Sequence, residues 1–129
     1  MAKRCKTKTV LVIEDEVEVR NFACRVLELE GYHVLQAGDT EKGMRLLREG
    51  LINLVLLDLR LPRRNGWAVL EQIKREPGLS VIPVIVFTAS AALSQREKAL
   101  GMGAADYLVK PLSSARLRQA VAHTLCQKR

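Results

Sequence analysis

Short, solid runs of apolar residues recur along the chain, and stretches with helical periodicity fill the gaps between them. TVLVI (9–13), LVLL (54–57) and PVIVF (83–87) are continuous rather than alternating. A strand that reads this way has both faces buried, which is the signature of a parallel sheet covered by helices on each side. HVLQA (33–37) reads as a less buried strand and Tyr107–Val109 as a fifth. Between them Val19, Phe22, Ala23, Val26 and Leu27 fall at helical spacing before Gly31, a stop signal. Asp39 or Thr40 is placed to cap a helix through Met44, Leu46 and Leu47 to Gly50. Further helices are expected over Trp67–Arg75, ended by Pro77-Gly78, and over about 91–100. A last one is capped by Ser113 or Ser114 and runs through Leu117, Val121 and Leu125. Strands alternating with helices in five βα units give an α/β domain with an open, doubly wound, parallel five-stranded sheet.

The chain is 129 residues long, enough for one good core and no second domain. Hydrophobic residues make up 48% of it, a globular composition. No apolar run approaches the roughly 20 residues that span a bilayer, so no membrane association is expected. The N-terminus, MAKRCKTKTVLVIEDE, lacks the apolar segment and small-residue cleavage site of a signal peptide. The three cysteines, Cys5, Cys24 and Cys126, are too widely spaced for a CxxC metal site and odd in number, so reduced thiols and a cytoplasmic location are expected. His33 and His123 are isolated and read as lone histidines rather than metal ligands.

Net charge is +7, and Lys3, Arg4, Lys6 and Lys8 crowd the first eight residues. Residues 1–7 are read as a basic tail and 8–127 as the folded domain. A basic balance can serve nucleic acid, a membrane surface or an acidic partner. No zinc finger, basic zipper or RNA-binding aromatic motif accompanies it, and the aromatics amount to one Trp, two Tyr and two Phe. Nucleic acid is therefore not the expected partner.

The strand ends carry the chemistry. INLVLLDLRLP (52–62) takes a buried strand straight into a carboxylate, Asp58, and a buried carboxylate is costly unless a cation or hydrogen bonds replace its water. In a doubly wound sheet, ligands bind beyond the carboxyl ends of the strands. Those ends hold Glu14-Asp15, Asp58, Thr88 and Lys110-Pro111. Two carboxylates 5 Å apart repel by about 3 kcal/mol at an effective dielectric near 20. Three together call for a cation, and oxygen-only ligands favour a hard one such as Mg²⁺. A carboxylate nucleophile, a metal, a hydroxyl and an ammonium are the parts that phosphoryl transfer needs.

LVIEDE (11–16), LVLLDLRLPRRNGW (54–67), PVIVFTA (83–89) and ADYLVKP (105–111) together resemble the response-regulator receiver domain of two-component signalling, in that family's order and spacing. The resemblance covers about residues 8 to 126. It implies a flavodoxin-like sheet with strand order 2-1-3-4-5. Asp58 is similar to the aspartate that takes a phosphoryl group from a histidine kinase or phosphotransfer protein. Glu14 and Asp15 match the acidic pair that, with Asp58 and the backbone carbonyl of Arg60, holds Mg²⁺ or Mn²⁺ directly or through water. Thr88 and Lys110 match the groups that contact the phosphoryl, and Thr88 and Tyr107 the pair that shifts on activation. Lys110-Pro111 is expected to be cis. The family acts as a phosphoacceptor that assists its own phosphorylation and dephosphorylation rather than as an enzyme. It works through a downstream protein effector, as a monomer or as a homodimer formed on phosphorylation. No output domain is expected in this sequence.

Two features depart from the common pattern. Glu14 stands where many members have Asp, and its extra methylene shifts it toward water-mediated metal contact. Arg60, Arg63 and Arg64 crowd the site, where they can partly neutralise its carboxylates, attract an acidic partner or simply be solvated. An aspartyl-phosphate phosphatase would need a second Asp two residues after the nucleophile, and Arg60 occupies that position. The alternative is a basic adaptor acting without phosphorylation, with nucleic acid as a candidate partner; it predicts that function survives Asp58→Asn.

Overall fold

The computed structural model describes residues 7–61 and 65–126. The basic residues Lys3, Arg4 and Lys6, together with Cys5, Arg63 and Arg64, lie outside them. Five strands alternate with five helices: β1 (Thr9–Ile13), α1 (Val17–Leu29), β2 (His33–Ala37), α2 (Thr40–Glu49), β3 (Leu54–Asp58), α3 (Gly66–Arg75), β4 (Val84–Thr88), α4 (Leu93–Gly101), β5 (Asp106–Val109) and α5 (Ser114–Cys126). The strands pair in parallel, in the order β2-β1-β3-β4-β5.

The solid apolar runs have the cause read from them. Along β1, β3 and β4, alternate residues feed opposite layers. Leu11, Ile13, Val55, Leu57, Val84 and Val86 face a core closed by α2, α3 and α4. Val10, Val12, Leu54, Leu56, Ile85 and Phe87 face a second core closed by α1 and α5. The strand β2 is half-buried because it is the sheet edge, paired only with β1.

Helix starts follow local chemistry. Asp39 caps α2, its Oδ1 accepting from the Lys42 N–H at 2.8 Å. Asn65 caps α3 through the Ala68 N–H at 3.0 Å, one residue ahead of the expected start at Trp67. Ser113 supplies the cap of α5, its Oγ accepting from the Arg116 N–H at 3.0 Å. The helix α4 begins two residues later than expected, because the Ser90 hydroxyl first accepts the Ala92 N–H at 3.2 Å and holds a turn there. Trp67 packs, partly buried, against the first core.

One of the apolar residues at helical spacing on α1 is not in the core. Phe22 is 39% exposed, whereas Ala23, Cys24, Val26 and Leu27 are buried on α1. The stripe that packs on the sheet is centred on 23 and 27, and at 100° per residue Phe22 falls at its border. His33 and His123 are exposed, and Cys24 and Cys126 are free thiols. Among the described residues no helix is long and apolar enough to cross a membrane.

Candidate functional site

Strand register alone assembles the site. Ile13 stands beside Leu57, so the next residues, Glu14 and Asp58, emerge side by side. Asp58 stands beside Phe87 and Thr88 beside Val109, which carries Thr88 and then Lys110 to the same rim. The Lys110 N–H donates to the Thr88 carbonyl at 2.8 Å, locking that corner. The peptide bond from Lys110 to Pro111 is cis.

Glu14, Asp15 and Asp58 each bring a carboxylate oxygen within 4.8 Å of the others. Glu14 is fully buried, Asp58 is 2% exposed and Asp15 is exposed to solvent. Charge and hydrogen bonds offset the burial. Lys110 Nζ donates to Glu14 Oε1 at 2.9 Å and lies 3.4 Å from Asp58 Oδ2. Glu14 Oε2 accepts the Glu16 N–H at 2.9 Å, and Asp58 Oδ1 accepts the Arg60 N–H at 3.0 Å. The ammonium also sits 5.0 Å from the centre of the Phe87 ring. Among the described residues no buried side-chain polar atom lacks a partner.

Burial pushes the Glu14 carboxyl up to about 7, aided by the charge of Asp58, and the bonds from Glu16 N–H and Lys110 reverse only part of this. For Lys110, burial works against the charged form, but the Glu14 hydrogen bond and the charges of Asp58 and Glu14 outweigh it and raise its pKa. Among the described residues, Lys110 is the one cation in contact with this cluster of three carboxylates. An all-oxygen cluster of this size fits a hard divalent cation.

Thr88 is buried at the end of β4, and its Oγ1 accepts the Ser90 N–H at 3.4 Å, a long contact. Tyr107 is turned inward, 3% exposed, and its hydroxyl donates to the Ser90 carbonyl at 2.9 Å. The turn after β4 is thus held from two sides. A cavity of about 380 Å³ opens there, lined by Arg60, Trp67, Thr88, Ser90 and Gln95 among others. A groove of about 540 Å³ lies on the other side of Lys110, and the exposed Phe22 lines it with Val19, Pro111 and Leu112.

Three contributors escaped the sequence reading. Gly66 packs so closely behind the site that a Cβ there would lie 2.5 Å from the Asp58 carbonyl oxygen and from Leu59 Cα. A glycine shortly after a strand-end aspartate is a signal that was available. Ser90, whose backbone carries the contacts to Thr88 and Tyr107, gave none. Arg20 donates from its guanidinium to the Glu14 carbonyl at 2.8 Å and to Gln36 Oε1 at 3.1 Å, tying the loop after β1 to β2. It falls one helical turn beyond the acidic pair but carries no motif.

Comparison with known proteins agrees with this geometry. The model of the response regulator receiver domain matches residues 10–122. The phosphate regulon transcriptional regulatory protein PhoB of Escherichia coli (strain K12) is 36% identical over 110 residues, covering 85% of this chain and 48% of PhoB. The probable transcriptional regulator ycf27 of Porphyridium aerugineum is 35% identical over 116 residues, covering 90% of this chain and 47% of its own length. The chain thus spans about half the length of the curated relatives it matches. Among solved structures, a CheY-like response regulator receiver domain protein from Methanospirillum hungatei JF-1 superposes with a TM-score of 0.84 at 28% identity, covering 95% of this chain and 96% of that one. The receiver domain of NtrX from Brucella abortus gives 0.86 at 27% identity, covering 92% and 99%.

Proposed function

This chain belongs to the response regulator receiver family, and from that premise we propose that it is a cytoplasmic, phosphorylation-dependent signalling switch with Asp58 as the phosphoacceptor. The observation that carries the reading is the seat of the Lys110 ammonium, 2.9 Å from Glu14 and 3.4 Å from Asp58. A cation held between two buried carboxylates at the end of a parallel sheet stands ready to follow charge as it develops on a phosphoryl group.

In the proposed step an Asp58 oxygen attacks phosphorus on a phosphohistidine of a histidine kinase or phosphotransfer protein. The P–O bond forms, the P–N bond breaks, and the imidazole leaves. Asp15, Asp58 and the Arg60 carbonyl would hold Mg²⁺ or Mn²⁺, with Glu14 contributing through water. A bound divalent ion supplies neutralisation of the carboxylates and of the phosphoryl oxygens. The Arg60 N–H keeps one Asp58 oxygen oriented, and Lys110 contacts the incoming phosphoryl. The chain is a phosphoacceptor and not an enzyme acting on a separate substrate.

An aspartyl phosphate carries about −2 charge where the free carboxylate carried −1. Thr88 exchanges its long contact with Ser90 for a bond to the phosphoryl oxygen, and the Ser90 turn, tied to Tyr107, moves with it. That change reaches α4, which buries only Ala99, and alters binding of a downstream protein. The transcriptional regulators it resembles suggest that the signal ends at gene control.

Intact mass after incubation with a small phosphodonor tests this. A gain of one phosphoryl group that requires both Mg²⁺ and Asp58 supports the switch. No gain even with a histidine kinase present, from a folded protein, leaves the basic adaptor acting without phosphorylation.

A further inference from the structure

Glu14 has no free oxygen. Oε2 is taken by the Glu16 N–H and Oε1 by Lys110 Nζ, both at 2.9 Å, and the residue is fully buried. Asp15, next in the chain, is exposed. Asp58 uses Oδ1 on the Arg60 N–H, and its Oδ2 is farther from the ammonium than Glu14 is, at 3.4 Å against 2.9 Å. Lysine carries its charge on a flexible four-carbon stem and needs a fixed partner to hold one position. The Phe87 ring supplies one wall of its seat, and among the described residues Glu14 supplies the only hydrogen bond shorter than 3 Å to the ammonium.

From this we infer that Glu14 is a positioning residue for Lys110, and that the Glu14–Lys110 pair stays closed when a divalent cation binds to Asp15 and Asp58. The length of the side chain matters. Glutamate reaches from the end of β1 to Lys110 while keeping its other oxygen on the Glu16 N–H. Aspartate, shorter by one carbon–carbon bond, cannot hold both. The inference deepens the phosphoacceptor reading and rests on it for its purpose: the ammonium is parked beside Asp58 before any phosphoryl group arrives.

The test reads Lys110 itself. A partly buried ammonium held in an ion pair exchanges its protons more slowly than a free one, so its side-chain ¹H–¹⁵N signal is sought at low temperature and assigned through Lys110→Arg. Wild type should show this signal both metal-free and at saturating Mg²⁺. Glu14→Asp should lose it in both conditions, and so should Glu14→Gln, which keeps the side-chain length in case the shorter variant does not fold. In calorimetric titration, Asp15→Asn should weaken Mg²⁺ binding by about tenfold or more, and Glu14→Asp clearly less. Loss of the wild-type signal on Mg²⁺ saturation would mean that Glu14 leaves Lys110 for the metal, and would overturn the inference. Persistence of the signal in Glu14→Asp, or equal losses of affinity in both variants, would overturn it too. No phosphorylation is involved. A protein that took no phosphoryl group would therefore sink the functional reading while leaving this one standing. A wild type that bound no Mg²⁺ would remove the metal-bound half of the inference, and the metal-free signals would still decide the anchor.

Discussion

A Cβ on Gly66 would meet the carbonyl oxygen of Asp58 at 2.5 Å. The start of α3 is pressed against the backbone that carries the proposed phosphoacceptor, and the Gly66 N–H donates to the Leu59 carbonyl at 2.8 Å to keep it there. The atoms in the way are backbone, which cannot swing aside as a side chain can. Gly66→Ala should therefore destabilise the domain by about 1–3 kcal/mol, the usual range for overpacking, and displace Asp58 as well. Urea unfolding gives the first number. Phosphorylation rate under conditions where the variant is folded gives the second, and a rate equal to wild type would show that Asp58 had not moved.

Tyr107→Phe removes the one bond from this hydroxyl to the Ser90 carbonyl and little else. Stability should fall by about 1 kcal/mol. Amide exchange should quicken at Ser90 and Ala92, where the turn after β4 is held, and remain unchanged in β1. Uniform acceleration across the sheet would instead mean a global loss of stability.

Lys98 Nζ lies 4.4 Å from the centre of the Trp67 ring, joining α4 to α3, and Trp67 also lines the cavity that Thr88 reaches. Trp67 is the sole tryptophan. Its emission should respond to phosphorylation of Asp58, and Lys98→Met should shift the resting emission while lowering stability by about 0.5–1 kcal/mol. Emission indifferent to phosphorylation would show that motion of the Ser90 turn does not reach α3.

Burial pushes the Cys24 thiol from 9.0 up to about 11, with the nearby Glu28 carboxylate adding to it. The folded state therefore holds its proton above the pH at which the unfolded chain releases it. Stability from this group is intact below pH 9 and falls as pH rises toward 11, by about 3 kcal/mol at the limit. In Cys24→Ala that portion of the alkaline slope should vanish, leaving a gap from wild type that narrows between pH 9 and 11. In the native protein Cys126 should react quickly with a thiol reagent and Cys24 only on unfolding. Equal rates would mean that α1 opens readily.

Much of this molecule is legible in its sequence. A run such as TVLVI declares a strand buried on both faces, and both β1 and β2 begin and end where their residues change character. The convergence of Glu14, Asp15, Asp58, Thr88 and Lys110 was legible because a parallel fold places its strand ends on one rim. The exposure of Phe22 was not legible, because spacing defines a stripe but not its border. The sheet that α1 packs on decides which flank of the stripe is covered.

What the sequence by itself determined is the alternation of elements and the identity of the groups at their ends, since periodicity, caps and strand ends are local properties of the chain. Only the tertiary structure decided how those groups are paired. Lys110 and Glu14 are 96 residues apart, and nothing local to either says that the ammonium prefers Glu14 to Asp58 or that both Glu14 oxygens are committed. Such preferences are set by register across four strands and by differences of a fraction of an ångström in reach. Desolvation then fixes them, because a charge buried at the end of a strand must take whichever partner the fold brings to it.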